Sequence, residues 1–303
     1  MNGERDMKIK AKINVNHAKL SAGLSAALRI CTQVASSPDK ADEIDLSDVE
    51  FVTPTFALPF LVFADGYVKD ISMSNASSYL RSIHFESRGV DSGAMRPTEF
   101  AAFIECYSRK RFVPIVRFPA QKTRISDRDR ILSAVENILV KQTGWKSNVT
   151  HGIKYMLSEM ADNISEHSRS EYGYIFAQCY PTYGYADICL GDAGITVLGS
   201  YQLADNNEIQ TDIEALKAAN KGVSTKNLPE SENRGYGLIT SREMLVSGLG
   251  GQYLMLSGDA VYVDTPNGGG YIEIPGGIRF KGTVIALRLP YRNDKFSYLN
   301  YLE

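Results

Sequence analysis

The chain has no apolar run long enough to span a bilayer, and its N-terminal MNGERDMKIK lacks the apolar core of a secretory leader. The expected compartment is therefore the cytoplasm, with no membrane partner. Cysteine is scarce: Cys31, Cys106, Cys179 and Cys189 form no CxxC pair and have no histidines near them at zinc-ligand spacing. That excludes a disulfide scaffold and a zinc ribbon, and the four are expected as reduced core residues. Charge of one sign is also lacking. A formal net charge of -2 gives no electrostatic reason for nucleic acid as the main ligand. The alternating Lys8, Lys10 and Lys12 read as the solvated face of a strand.

What is present is a chain of 303 residues, 44% of them hydrophobic, enough for a substantial core and more than one domain. Residues 8–15, KIKAKINV, alternate with period two and predict a strand. Leu20, Leu24, Leu28 and Cys31 follow at helical spacing. Residues 43–52, EIDLSDVEFV, predict a further strand with a turn at Ser47 and Asp48, before Pro54 opens an apolar helix. Charge and proline replace apolar periodicity at 118–130, which sets a boundary between a first domain, 1–120, and a second, 121–303. Ser126 can cap the next helix, with Ile131, Leu132, Val135, Ile138 and Leu139 as its buried stripe and Gly144 as its end.

The most informative stretch is 153–168, IKYMLSEMADNISEHS. At about 100° per residue, Ile153, Leu157, Met160 and Ile164 share one side, while Glu159, Asn163 and His167 recur along its margin. If the stripe packs on a sheet, that carboxylate, amide and imidazole border whatever pocket opens beside it; otherwise they are a solvated flank. EYGYIFAQCY and YADICLGDAG then read as a hairpin that ends in Asp192, Ala193, Gly194. An aspartate at a strand exit can accept from an amine, and a glycine two residues on lets a planar ring approach without a Cβ clash; the same pattern also serves as a plain turn. In NRGYGLITSREML, Gly235 and Gly237 flank Tyr236 before a helical run, where free backbone N–H groups can receive phosphate, with Arg234 adding charge. The stretch 211–232 between them reads as a short helix and a polar loop that can serve as a lid. Residues 268–290 read as two strands, and Thr283 at the start of the last is placed either to bond a base-side carboxylate or to sit on a strand edge.

In order, E-x-x-x-N on a helix, D-x-G after a strand, G-x-G before a helix and G-T on a terminal strand resemble the GHKL ATP-binding domain over roughly residues 125–290. That family includes DNA gyrase B, the catalytic domains of histidine kinases and the anti-sigma-factor serine kinases. The resemblance implies an α/β two-layer sandwich of Bergerat type and ATP with Mg²⁺ as ligands. It implies Asn163 as the Mg²⁺ ligand and Glu159 as the group that orients or deprotonates the attacking water or hydroxyl. It further implies Asp192 on the adenine amine with Gly194 beside the ring, Arg234, Gly235 and Gly237 at the phosphates, and Thr283 supporting the adenine end. One position departs: the family's D-x-G-x-G ends here in Thr196. The strand, polar turn and apolar helix within residues 8–118 resemble the smaller α/β STAS domain, although Thr53, Pro54, Thr55, Phe56 lack that family's aspartate and glycine. Thr55 is then either a phosphoacceptor or the cap of the following helix.

Three functions follow as expectations. The first is an ATP-dependent regulatory switch with slow hydrolysis, acting on a protein partner. The second is a serine/threonine kinase of the anti-sigma type with a STAS-like substrate, and the third a scaffold that holds nucleotide without turnover. A homodimer is compatible with each.

Overall fold

The computed structural model describes residues 8–11, 17–36, 43–67, 72–223, 237–291 and 296–301. Its central feature follows from strands that carry apolar side chains on both faces. In β6 (Tyr172–Tyr180) Tyr174 and Phe176 point one way and Ile175 and Ala177 the other, all of them buried. In β7 (Tyr185–Asp192) Cys189 opposes Ile188 and Leu190, and in β11 (Phe280–Pro290) Val284 and Ala286 oppose Ile285 and Leu287. Such a sheet needs cover on both sides.

The first cover is α5 (Ile125–Thr143) and α6 (Ser147–His167), which meet Ile175, Ile188, Leu190, Ile285 and Leu287 in one core. The second is α1 (Leu20–Ala35) and α2 (Pro54–Tyr67), which meet Tyr174, Phe176, Cys189, Val284 and Ala286 in another. Residues 54–64 of α2 are buried without a break, as a helix apolar all round must be. The short strands β1 (Lys8–Lys10), β2 (Glu43–Asp45) and β3 (Ser72–Ser74) form a parallel sheet in the order β1-β2-β3 and add Ile9, Ile44 and Met73 to that second core. The protein is thus α/β with mixed sheets and helices, compatible with an α/β sandwich whose second face is also covered.

The large sheet takes its remaining strands from β4 (Val90–Asp91), β5 (Phe112–Pro119), β8 (Gln252–Gly258), β9 (Ala260–Asp264) and β10 (Gly270–Glu273). Its order is β10-β9-β8-β11-β7-β6-β5-β4, with the β4–β5 pair parallel and the other pairs antiparallel. Because β5, with β4 at its outer edge, pairs with β6, the sheet crosses the boundary drawn at 120/121, and the first stretch shares both sheet and core with the second. Residues 252–264 supply two of the strands, β8 and β9.

Several local expectations meet the coordinates directly. The strand expected over 43–52 is confined to β2, and of the strand expected over 8–15 residues 12–15 lie outside the described residues. α5 begins at Ile125, before Ser126, and its N-cap Arg124 makes no side-chain capping bond; Ser126 is inside the first turn, where Arg124 Nε instead donates to Asp127 at 3.1 Å. Cys31, Cys179 and Cys189 are free and buried, but Cys106 is exposed, because it follows α4 (Pro97–Glu105), the helix after the short α3 (Ser78–Ser82), at its solvent-facing end. Thr55 is not the cap of α2: the helix begins at Pro54, and Thr55 lies inside its first turn, 2% exposed, with its hydroxyl 3.2 Å from that of Thr53. No helix among the described residues is long and apolar enough to cross a membrane.

Gly144 closes α5 at φ +69°, its N–H donating to Val140 O at 2.8 Å, with open space where a Cβ would stand. Only the left-handed backbone opposes a side chain there, so Gly144→Ala is expected to cost about 1 kcal/mol in urea denaturation. An unchanged midpoint would remove the capping role.

Candidate functional site

The buried stripe of α6, with Ile153, Leu157, Met160 and Ile164 against the sheet, leaves Glu159, Asn163 and His167 half-buried along its margin. These three side chains line a cavity of about 390 Å³. The sheet supplies another wall through Leu190 and Asp192 of β7, Thr283 and Ile285 of β11 and Met255 of β8. A further wall comes from α7 (Val197–Leu203), with Ser200 and Tyr201, and from Ala219 and Val223 at the end of α8 (Asp212–Ala219). Gly237 and Leu238 open α9 (Gly237–Glu243) on the same cavity. Of the residues singled out in the sequence, Glu159, Asn163, Asp192, Gly237 and Thr283 therefore converge. Arg234 and Gly235, with most of the expected lid loop, lie outside the described residues.

Asp192 is the most constrained of them. It ends β7 at 2% exposure, and burial pushes its carboxyl up to about 7, partly offset by the backbone N–H groups of Gly194 and Thr283. The Gly194 N–H donates at 2.9 Å. A Cβ on Gly194 would run into the Ser168 carbonyl at the end of α6, so packing alone requires glycine, and Gly194 itself is not among the residues lining the cavity. Ser168 O also accepts from Ile195 N at 2.7 Å, fixing the turn to the helix that carries Asn163. In the sheet Asp192 lies between Gly173 of β6 and Thr283 of β11.

Thr283 occupies a different place in the hydrogen-bond pattern than its hydroxyl was expected to take. Its backbone N–H bonds the Asp192 carboxylate, while its hydroxyl lies 3.1 Å from that of Ser257. The register of β11 shifts between Phe280 and Thr283, and Gly282 sits in the bulge at φ +74°, where a Cβ would meet the Asp192 carbonyl. Ser257 was not singled out by the sequence. It is buried, donates to Gly282 O at 2.9 Å and accepts from Val197 N at 3.0 Å, joining the start of α7 to the bulge beside Asp192. Its partners stand 25 and 60 residues away along the chain, so only a strand register could have exposed it.

Thr196, where the resemblance calls for glycine, has a local explanation. At φ -72° it needs no glycine, and its hydroxyl accepts from Gly199 N at 3.0 Å as the N-cap of α7. At the far end of the cavity a Cβ on Gly237 would collide with the Glu159 carboxylate, so this glycine lets α9 approach the catalytic candidate.

The described lining includes the carboxylates Glu159, Asp162, Glu166 and Asp192 and no lysine or arginine. Among the described residues no group of three or more histidine, cysteine or acidic side chains is arranged around a metal. A hard cation that takes most of its oxygens from phosphate and water asks less of the protein, and the Asn163 amide with Glu159 one turn before it fits that demand. Compared with family models, curated proteins and solved structures, the chain matches none of them.

The raised carboxyl of Asp192 carries a pH dependence. The folded protein retains a proton that the unfolded chain releases, so this group's contribution makes stability fall as pH rises from 3.8 through about 7. Asp192→Asn is expected to flatten that slope between about pH 4 and about pH 7, measured as urea midpoints. An identical slope in the variant would mean that Asp192 is ionised throughout.

Proposed function

We propose that the chain binds Mg-ATP in the cavity beside α6 and works as an ATP-dependent regulatory switch with slow hydrolysis. One observation carries the reading: a helix amide and carboxylate, a strand-end aspartate, a bulged threonine and a helix-opening glycine, from four separated segments, line a single cavity. Its volume lies within the range of small-molecule sites, about 300–1,000 Å³. These are the elements the GHKL resemblance groups around one nucleotide, and on this reading the large α/β part is a Bergerat-type domain.

In this reading Asp192 accepts from the exocyclic amine of adenine, with Gly194 and Thr283 holding its carboxylate in place. Tyr201, Val197 and Ile195 enclose the base. Gly237 meets the phosphates. Asn163 would hold Mg²⁺, which would supply positive charge against the acidic side chains of the described lining. Glu159 orients the attacking water and takes its proton, and phosphoryl transfer asks for little beyond positioning and charge neutralisation.

Calorimetry with ATP, ADP and GTP, with and without Mg²⁺, tests the binding, followed by phosphate release on the same sample. Mg²⁺-dependent preference for ATP over GTP is the expected result. Absence of nucleotide binding, or binding indifferent to base and metal, would overturn it. With labelled γ-phosphate, free phosphate supports the switch, a stably labelled protein substrate the kinase, and tight binding without turnover the scaffold.

A further inference from the structure

The back of the nucleotide cavity is held by a helix of the N-terminal half. The strand row Gly173–Asp192–Thr283 crosses β6, β7 and β11, with the Asp192 side chain on the α6 side. On the opposite face the C-terminal end of α2 grips the same row. Asp65 accepts from Tyr172 OH at 2.8 Å and from Tyr174 OH, the two residues on either side of Gly173. Arg88 Nη1 donates to the other oxygen of Asp65 at 2.9 Å. The Asp65 side chain is 9% exposed, so burial of this carboxylate depends on those three donors. The same end of α2 reaches β11: Phe63 meets Phe280 edge-on at 5.9 Å between ring centroids. A Cβ on Gly66 would stand 2.9 Å from that of Lys281. Phe280 and Lys281 lead directly into the bulge at Gly282 that seats the Asp192 carbonyl and the Thr283 N–H.

Two of the three strands that position Asp192 are therefore anchored from behind by Phe63, Asp65 and Gly66 within a single helical turn. A packed sheet does not bend continuously, so movement of this helix end is passed to the row and to the carboxylate it carries. We propose that Asp65 is a positioning residue for the nucleotide site, through which the N-terminal half sets nucleotide affinity and bound nucleotide in turn strengthens the docking of α2. The reciprocity follows from linkage, and the proposal rests on reading the cavity as a nucleotide site.

The test uses the full chain with Asp65→Asn and with Tyr172→Phe, which deletes one hydrogen bond and keeps the ring. Amide hydrogen exchange is read at Asp192, Gly194 and Thr283 and, as a reference, at Leu132, Val135 and Leu139 of α5. Mg-ATP affinity is read by calorimetry, with Gly144→Ala as a variant that lowers stability away from the row. The expected result is about tenfold faster exchange confined to the row and about tenfold weaker Mg-ATP binding, neither of which Gly144→Ala reproduces. Exchange that rises equally in α5, or row exchange and affinity unchanged in both variants, overturns the proposal. A loosened row with unaltered affinity also overturns it. Should Asp65→Asn fail to fold, Tyr172→Phe decides. Should the unmodified protein bind no nucleotide, the functional reading fails, and exchange at the row alone decides whether Asp65 positions Asp192.

Discussion

Asp192→Asn is expected to weaken ATP binding by about a hundredfold, close to 3 kcal/mol, while leaving the fold intact. The asparagine keeps the side chain's shape, and its carbonyl oxygen can still accept from the Gly194 N–H that now bonds Oδ1 at 2.9 Å. What changes is the other terminus, where an acceptor becomes an NH₂ donor facing the exocyclic amine of adenine. Two donors then oppose each other in a site 2% exposed to solvent, where water cannot relieve them. The reversal of polarity has a second consequence. Inosine triphosphate presents a carbonyl where ATP presents the amine, so the variant should close most of the gap between the two nucleotides. Calorimetry with both ligands checks this, and equal loss for both would mean that Asp192 supports the site without reading the base.

The second large effect separates two residues one helical turn apart. Glu159→Ala is expected to lower turnover by about 10²–10⁴-fold with Mg-ATP affinity held within about tenfold, because a general base acts after binding. Asn163→Ala is expected to raise the dissociation constant for Mg-ATP and to remove the benefit of added Mg²⁺, because in the proposed function the amide holds the cation. The acidity of the cavity sharpens the contrast. Deleting Glu159 takes a negative charge away from the phosphates, which favours binding, whereas deleting Asn163 leaves every carboxylate in place. Equal loss of binding in both variants would contradict these separate roles, and so would turnover retained by Glu159→Ala.

The features legible in the sequence are those whose cause is local. The stripe of α6 repeats at helical spacing, so the burial of Ile153, Leu157, Met160 and Ile164 and the marginal place of Glu159, Asn163 and His167 follow from one helix. Gly144 ends α5 because a left-handed residue is needed at that point. Asp192 at a strand exit and Gly237 at a helix start are likewise local signals. The features that escaped are set by partners distant along the chain. Nothing in residues 112–119 announces that they pair with β6 across two intervening helices. Nor does β11 disclose that it lies between β7 and β8, the arrangement that brings Ser257 and Thr283 side by side. The apolar run in α2 signals burial on all sides, yet the sheet it covers and the tyrosines that Asp65 meets appear only once the strands are paired. Thr196 is a mixed case: the GHKL resemblance calls for a glycine there, while its spacing to Gly199 is that of an ordinary capped helix.

The central claim is that one nucleotide spans the cavity from Asp192 to Asn163. A crystal structure of the full chain with Mg²⁺ and a non-hydrolysable ATP analogue tests it most directly. The account predicts the adenine amine against the Asp192 carboxylate, the cation on the Asn163 amide oxygen and the γ-phosphate beside Glu159. A nucleotide bound elsewhere, or its base and cation lodged against other residues of this cavity, would contradict it.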